Sequence, residues 1–104
     1  MTRGGWKAVE RRMAKDVGTT RIPVSGRTKG EADFENDRFS FQLKVRKSLP
    51  AWLWGWLYGI QEVAVARRGV LVLKTPGMKD EDAIVVMSWS DFLCATHSRM
   101  EKHG

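Results

Sequence analysis

Cysteine is almost missing from this chain of 104 residues: Cys94 stands alone. A single thiol forms no intrachain disulfide and builds no cysteine-based zinc site. Such sparing use suits a reducing compartment, so a cytoplasmic location is expected. Histidine is nearly as scarce, and His97 and His103 have no ligand partner at useful spacing, which argues against a zinc centre or a histidine base. The chain also lacks a long hydrophobic run. The longest, around residues 51–60, is interrupted by glycine and flanked by charge; it is too short to span a bilayer, and no membrane association is expected. No repeat, low-complexity segment or linker divides the sequence, so residues 1–104 read as a single domain with room for one core.

What the chain has in excess is positive charge and tryptophan. Lys and Arg number 18 against 12 acidic residues, a net charge of +6. That balance favours a polyanionic partner, nucleic acid before an anionic membrane surface; the bland alternative is a basic surface without a partner. The hydrophobic share of 42% and charged share of 29% are those of an ordinary globular protein. Five tryptophans accompany one tyrosine, and Trp52, Trp54 and Trp56 lie close together. Such a cluster asks for a core, a subunit interface or, less commonly, bases to stack on.

Periodicity and punctuation predict the elements. Residues 6–17 read as a helix, with Val9, Met13 and Val17 at helical spacing, Trp6 one turn before, and Gly18 as the stop. Residues 21–24 form a short β-branched strand interrupted by Pro23. Residues 25–30 make a flexible basic loop. A hairpin follows, turning at Asn36-Asp37, and its second strand alternates: Phe39, Phe41, Leu43 and Val45 on one face, Ser40, Gln42, Lys44 and Arg46 on the other. Ser48 and Pro50 start a helix that runs to about residue 66, with Arg67-Arg68-Gly69 at its end. Apolar strands at 70–74 and 83–87 flank a polar loop, and Ser88 or Ser90 caps a last helix at about 91–98. The order α-β-β-β-α-β-β-α predicts an α/β fold: a mixed central sheet flanked by helices.

The hairpin carries the candidate chemistry. Glu31, Asp33 and Glu35 share one face by period two, and Asp33 approaches Gln42 if the two strands pair. A carboxylate and an amide oxygen can hold a hard divalent cation, and an ammonium, Lys44, lies two residues further on the same strand. Phosphodiester cleavage needs such a grouping: an activated water, a stabilised pentacovalent phosphate and a neutralised leaving oxygen. The plain alternative for Asp33, Gln42 and Lys44 is a solvated sheet face. Arg46 and Lys47 directly follow the strand and are placed to meet a backbone phosphate; Arg27 and Lys29, with Arg3, Lys7, Arg11 and Arg12, form a candidate phosphate-binding rim or a generic basic surface.

The acid followed by Gln42-Leu43-Lys44 in this element order resembles the PD-(D/E)xK nuclease superfamily, and within it the small Holliday junction resolvases of archaeal and phage type. The resemblance spans residues 9–87. It implies a restriction-endonuclease-like fold and a metal-dependent DNA endonuclease, with Mg²⁺ (or Mn²⁺) as cofactor. It implies Asp33 as central metal ligand, Gln42 in place of a second acid, and the Leu43 carbonyl as a further ligand. Lys44 then serves the attacking water and the phosphate, Glu10 is an added helix carboxylate, and Ser25 lies near a functional serine of a mobile loop. It further implies branched DNA (a four-way junction) as substrate, a homodimer cutting opposed strands, and a bacteriophage origin, hence the host cytoplasm. Two departures stand out: Glu31-Ala32 occupy the place of the usual proline, and Gln42 brings no charge, as in Mrr-type duplex endonucleases, which also use Gln-x-Lys. The alternatives are an Mrr-like duplex endonuclease, a non-catalytic DNA-binding protein on a degenerate nuclease scaffold, and a protein-interaction module built on the tryptophans.

Overall fold

The structure is a computed structural model that describes residues 5–23 and 32–103, with side chains up to residue 96. Among the described residues the protein is a small mixed α/β chain with three α-helices and two two-stranded antiparallel sheets. Backbone contacts divide it into two compact units, residues 1–47 and 48–104.

In the first unit, helix α1 (Gly5–Asp16) ends where glycine was expected to end it. Gly18 takes φ +78°, a conformation that costs side-chain-bearing residues. Its N–H donates to Lys15 O at 3.0 Å, and the next N–H, of Thr19, donates to Ala14 O at 2.9 Å. This double closure is the Schellman motif, which satisfies carbonyls the helix leaves open. The buried residues of α1 are Glu10 and Ala14, and Val17 just beyond its end is buried too, while Val9 and Met13 are half-buried and Trp6 is exposed. Of the expected Val9–Met13–Val17 row only Val17 is buried; within the helix the buried side is turned by one residue, and it takes a carboxylate inside.

Strands β1 (Phe34–Glu35) and β2 (Ser40–Phe41) pair with Phe34 opposite Phe41 and Glu35 opposite Ser40. Phe34 is fully buried and stacks on Phe41 with ring centroids 4.9 Å apart. The turn spans Asn36 to Phe39, one residue later than expected. Asn36 Oδ1 accepts the N–H groups of Arg38 and Phe39, both at 2.9 Å, the side-chain turn that makes asparagine a hairpin residue. Its Nδ2 donates to Val17 O, joining hairpin to helix end. The expected alternation holds through Leu43 and fails at Val45, which is exposed.

The strand expected at residues 21–24 is reduced to a single bridge, Arg21 to Phe34. Pro23 has no N–H to extend a ladder, and residues 24–31 lie outside the described ones. The expected single mixed sheet is also not what forms: each sheet has two strands, and both ladders are antiparallel.

In the second unit, helix α2 (Ala51–Val63) is capped by Pro50, not Ser48, with no side-chain bond at its start. It stops at Val63, three residues early, with no basic residue in its last turn. Gly69 has a different task from ending it. A Cβ there would lie 2.7 Å from Gln61 Cα, so glycine is what lets the chain pass against the helix. Strands β3 (Leu71–Leu73) and β4 (Ile84–Val86) pair in the register Leu71–Val86, Val72–Val85, Leu73–Ile84. Helix α3 (Trp89–His103) starts two residues earlier than expected and runs further. Ser88 caps it: its Oγ accepts the Asp91 N–H at 3.1 Å. Among the described residues no helix is long and apolar enough to cross a membrane.

Candidate functional site

The first unit buries five of its described residues, and two of them are carboxylates: Glu10 at 3% and Asp33 at 6% exposure. Acidic side chains are almost never this buried without partners. Both have them.

Asp33 stands where β1 leaves its ladder. Its N–H donates to Phe41 O at 2.8 Å, yet Phe41 already pairs with Phe34. Two residues of one strand therefore face one of the other, the count of a β-bulge, and a bulge re-aims a side chain. This is why neighbours Asp33 and Phe34 are both buried although strict alternation would separate them. The Asp33 carboxylate accepts the Leu43 N–H through Oδ2 at 2.7 Å, a charge-assisted bond. Its own carbonyl accepts the Ile22 N–H at 2.8 Å. The acid is thus tied to the middle residue of Gln42-Leu43-Lys44 and to the segment that carries Arg21.

Glu10 is held from that segment. Arg21 Nε donates to Glu10 Oε1 at 2.6 Å, with the two side chains 12% and 4% exposed. The guanidinium lies over the Trp6 ring, 5.4 Å from its centroid, a cation–π contact. Arg21 Nη2 is buried and has no hydrogen-bond partner among the described residues. A buried guanidinium N–H without an acceptor is costly.

The expected residues divide as follows. Glu10 and Asp33 are buried in one unit and joined through residues 21–22. Leu43 is half-buried beside Asp33, while Gln42, Lys44, Arg46 and Lys47 are exposed. Lys7, Arg11 and Arg12 are exposed on α1. Arg3, Ser25, Arg27, Lys29 and Glu31 lie outside the described residues. Arg21 is the residue that sequence reasoning missed. The available signal was a lone arginine between Thr20 and Ile22 in a β-branched stretch, since a cation there needs a buried anion.

No group of three or more His, Cys, Asp or Glu residues arranged for a metal occurs among the described residues. The expected donors (Glu10, Asp33, the Gln42 amide and the Leu43 carbonyl) are all oxygens, the chemistry that hard divalent cations take; Glu10 and Asp33 are buried while Gln42 is exposed.

No family model matches this chain, and neither a curated protein nor a solved structure matches it.

Proposed function

We propose that the chain is a metal-dependent DNA endonuclease of restriction-endonuclease-like type, acting on branched DNA such as a four-way junction. The observation that carries this reading is the pair of buried carboxylates, with Asp33 bonded to the backbone between Gln42 and Lys44. A buried acid–base pair is a poor stability device. A unit with so small a core that keeps two acids inside is better accounted for by chemistry than by packing. The element order from α1 to β4 is the one expected from the sequence, except for the strand at residue 21 and the single mixed sheet.

In this reading Glu10, Asp33, Gln42 and the Leu43 carbonyl would hold Mg²⁺ or Mn²⁺, which would supply charge stabilisation at the phosphate and an acidified water. The Lys44 ammonium offsets charge on the phosphate and positions the attacking water, and Arg46 and Lys47 neutralise the DNA backbone.

The test is cleavage of a synthetic four-way junction with Mg²⁺, beside duplex and single-stranded controls. Lys44→Ala, an exposed change, is expected to lower the rate by about 10²–10⁴-fold. Asp33→Asn keeps an acceptor for the Leu43 N–H and is expected to abolish cutting with the fold intact. Normal cutting by both variants would refute the assignment.

A second reading has its own support. Gln42 contributes no charge, and Glu10 is already ion-paired with Arg21. Both features suit a protein that binds DNA without cutting it. Binding that weakens steeply with salt and no cleavage under Mg²⁺ or Mn²⁺, together with cleavage gained on Gln42→Glu, is the outcome that reading expects.

A further inference from the structure

Helix α2 places a polar group in an otherwise apolar run. Between Ala51 and Val63 the only polar side chains besides the aromatic rings are Gln61 and Glu62. Glu62 is exposed, but Gln61 is half-buried, and its amide has no hydrogen-bond partner among the described residues. Trp54, Tyr58 and Gln61 follow one another a turn apart and so share one face of the helix. The two rings stack, with centroids 5.4 Å apart and planes inclined by 25°. They stay 39% and 58% exposed. An amide that can both donate and accept therefore stands at the end of an open aromatic face.

The rest of the second unit folds a cavity around this face. Gly69 passes so close that a Cβ there would lie 2.7 Å from Gln61 Cα, which holds the segment carrying Arg67 against the helix. Leu71 pairs with Val86, so the chain leaving β4 arrives at the same place. There Ser88 caps α3, and Asp91 stands in its first turn. Trp54, Tyr58, Gln61, Arg67, Trp89 and Asp91 line a cavity of about 700 Å³, within the range of roughly 300–1,000 Å³ that small ligands occupy. The side chains of Arg67 and Asp91, like the Gln61 amide, make no hydrogen bond or ion pair among the described residues.

We propose that this cavity binds an unpaired nucleotide, with its base against Trp54 and Tyr58 and its phosphate at Arg67. The lining selects that chemistry. A hydrocarbon ligand would cover Gln61 and Asp91 and leave their polar atoms without partners, which is costly. A simple anion would meet Arg67 and leave the rings bare. A nucleotide answers both. Its base has a face to stack, and stacking tolerates any base. Every base edge carries at least one N–H donor and one acceptor; Asp91 accepts, and Gln61 does either. Arg67 and Arg68 stand together after the helix, where a phosphate finds positive charge. A base inside a duplex has neither its face nor its edge available, so the nucleotide must be unpaired. The inference does not rest on the proposed cleavage, because all of its residues belong to the second unit and the binding needs no metal.

The experiment is a titration of the full chain in EDTA, so that no cleavage is read, with a short labelled single strand, a blunt duplex and free deoxyadenosine monophosphate. Tyr58→Ala is expected to weaken single-strand binding by about tenfold, the loss of one base stack. Gln61→Leu keeps the bulk of the side chain and removes the amide; it is expected to weaken binding by at least about fivefold. That second variant decides the matter if Tyr58→Ala fails to fold. Arg67→Ala is expected to lower the slope of log affinity against log salt by about 0.7, the share of one phosphate on a single strand. Duplex affinity stays unchanged in Tyr58→Ala and Gln61→Leu. A strand carrying 5-iododeoxyuridine cross-links under ultraviolet light to the peptide that holds Trp54 and Tyr58. Two sources carry this chemistry, and the arms separate them: tighter binding of the strand assigns the cavity to unpaired DNA, and tighter binding of the monophosphate assigns it to a free nucleotide. Binding of neither overturns the proposal, as do single-strand affinities unchanged in both Tyr58→Ala and Gln61→Leu, equal losses on the duplex, or cross-links confined to other peptides. N-acetyltryptophanamide binding as tightly as the nucleotide overturns it too, since the cavity would then take a protein side chain.

Discussion

Glu10, which is buried, and Arg21, which is half-buried, form a pair in which neither partner tolerates the loss of the other. Removing one leaves an uncompensated charge at about 4% or 12% side-chain exposure, and single truncations of such pairs cost about 3–5 kcal/mol. Glu10→Ala and Arg21→Ala are therefore each expected to lower stability strongly in urea unfolding. The double change Glu10→Leu with Arg21→Met is expected to cost less than either, because apolar groups of similar volume replace both charges at once. Equal or additive losses in the double variant would show that the pair is not coupled. The pair also shows where sequence reasoning stops at the residue scale. Val9 and Met13 form an apolar row at perfect helical spacing, so they read as core. What turns the helix by one residue is an arginine eleven positions on, and no local pattern records that partner. Asp33 was legible as a candidate from its place before the Gln-x-Lys segment, but its burial depends on a bulge that strict alternation does not foresee.

At the scale of elements, two glycines carry different loads. Gly18→Ala places a side chain at φ +78° and is expected to cost about 1 kcal/mol. Gly69→Ala meets backbone atoms of Gln61 at under 3 Å, and such overpacking costs about 1–3 kcal/mol. Thermal unfolding of the two variants checks both, and an unchanged midpoint for Gly69→Ala would contradict the close passage against α2. The elements themselves were largely legible because their signals are local. Gly18, Asn36 and Ser88 make their turn and cap bonds within four residues of themselves, and each does its expected work or does it one residue away. The ends of α2 were not legible. Arg67, Arg68 and Gly69 look like a helix terminus, yet the helix stops at Val63 and the glycine is needed for packing. The pairing of strands was least legible of all. Apolar runs at 70–74 and 83–87 predict coverage on both faces, but which strand supplies a neighbour is a long-range choice that composition does not encode. The result is two separate ladders in place of one mixed sheet.

For the whole molecule, the excess of six positive charges predicts binding to DNA that falls steeply with salt. If Arg46 and Lys47 each neutralise a phosphate, replacing both with alanine lowers the slope of log affinity against log salt by about 2; fluorescence anisotropy at several salt concentrations reads this directly, and an unchanged slope would remove them from the interface. The central claim is that Glu10 and Asp33 are kept inside the first unit to hold a hard cation. Its most direct measurement is a Mn²⁺ titration of the full chain followed by electron paramagnetic resonance. The account predicts stoichiometric binding that weakens by at least about tenfold in Asp33→Asn and is unchanged in Lys44→Ala. Binding that is equal in the natural protein and Asp33→Asn, or no bound Mn²⁺ in either, would contradict it.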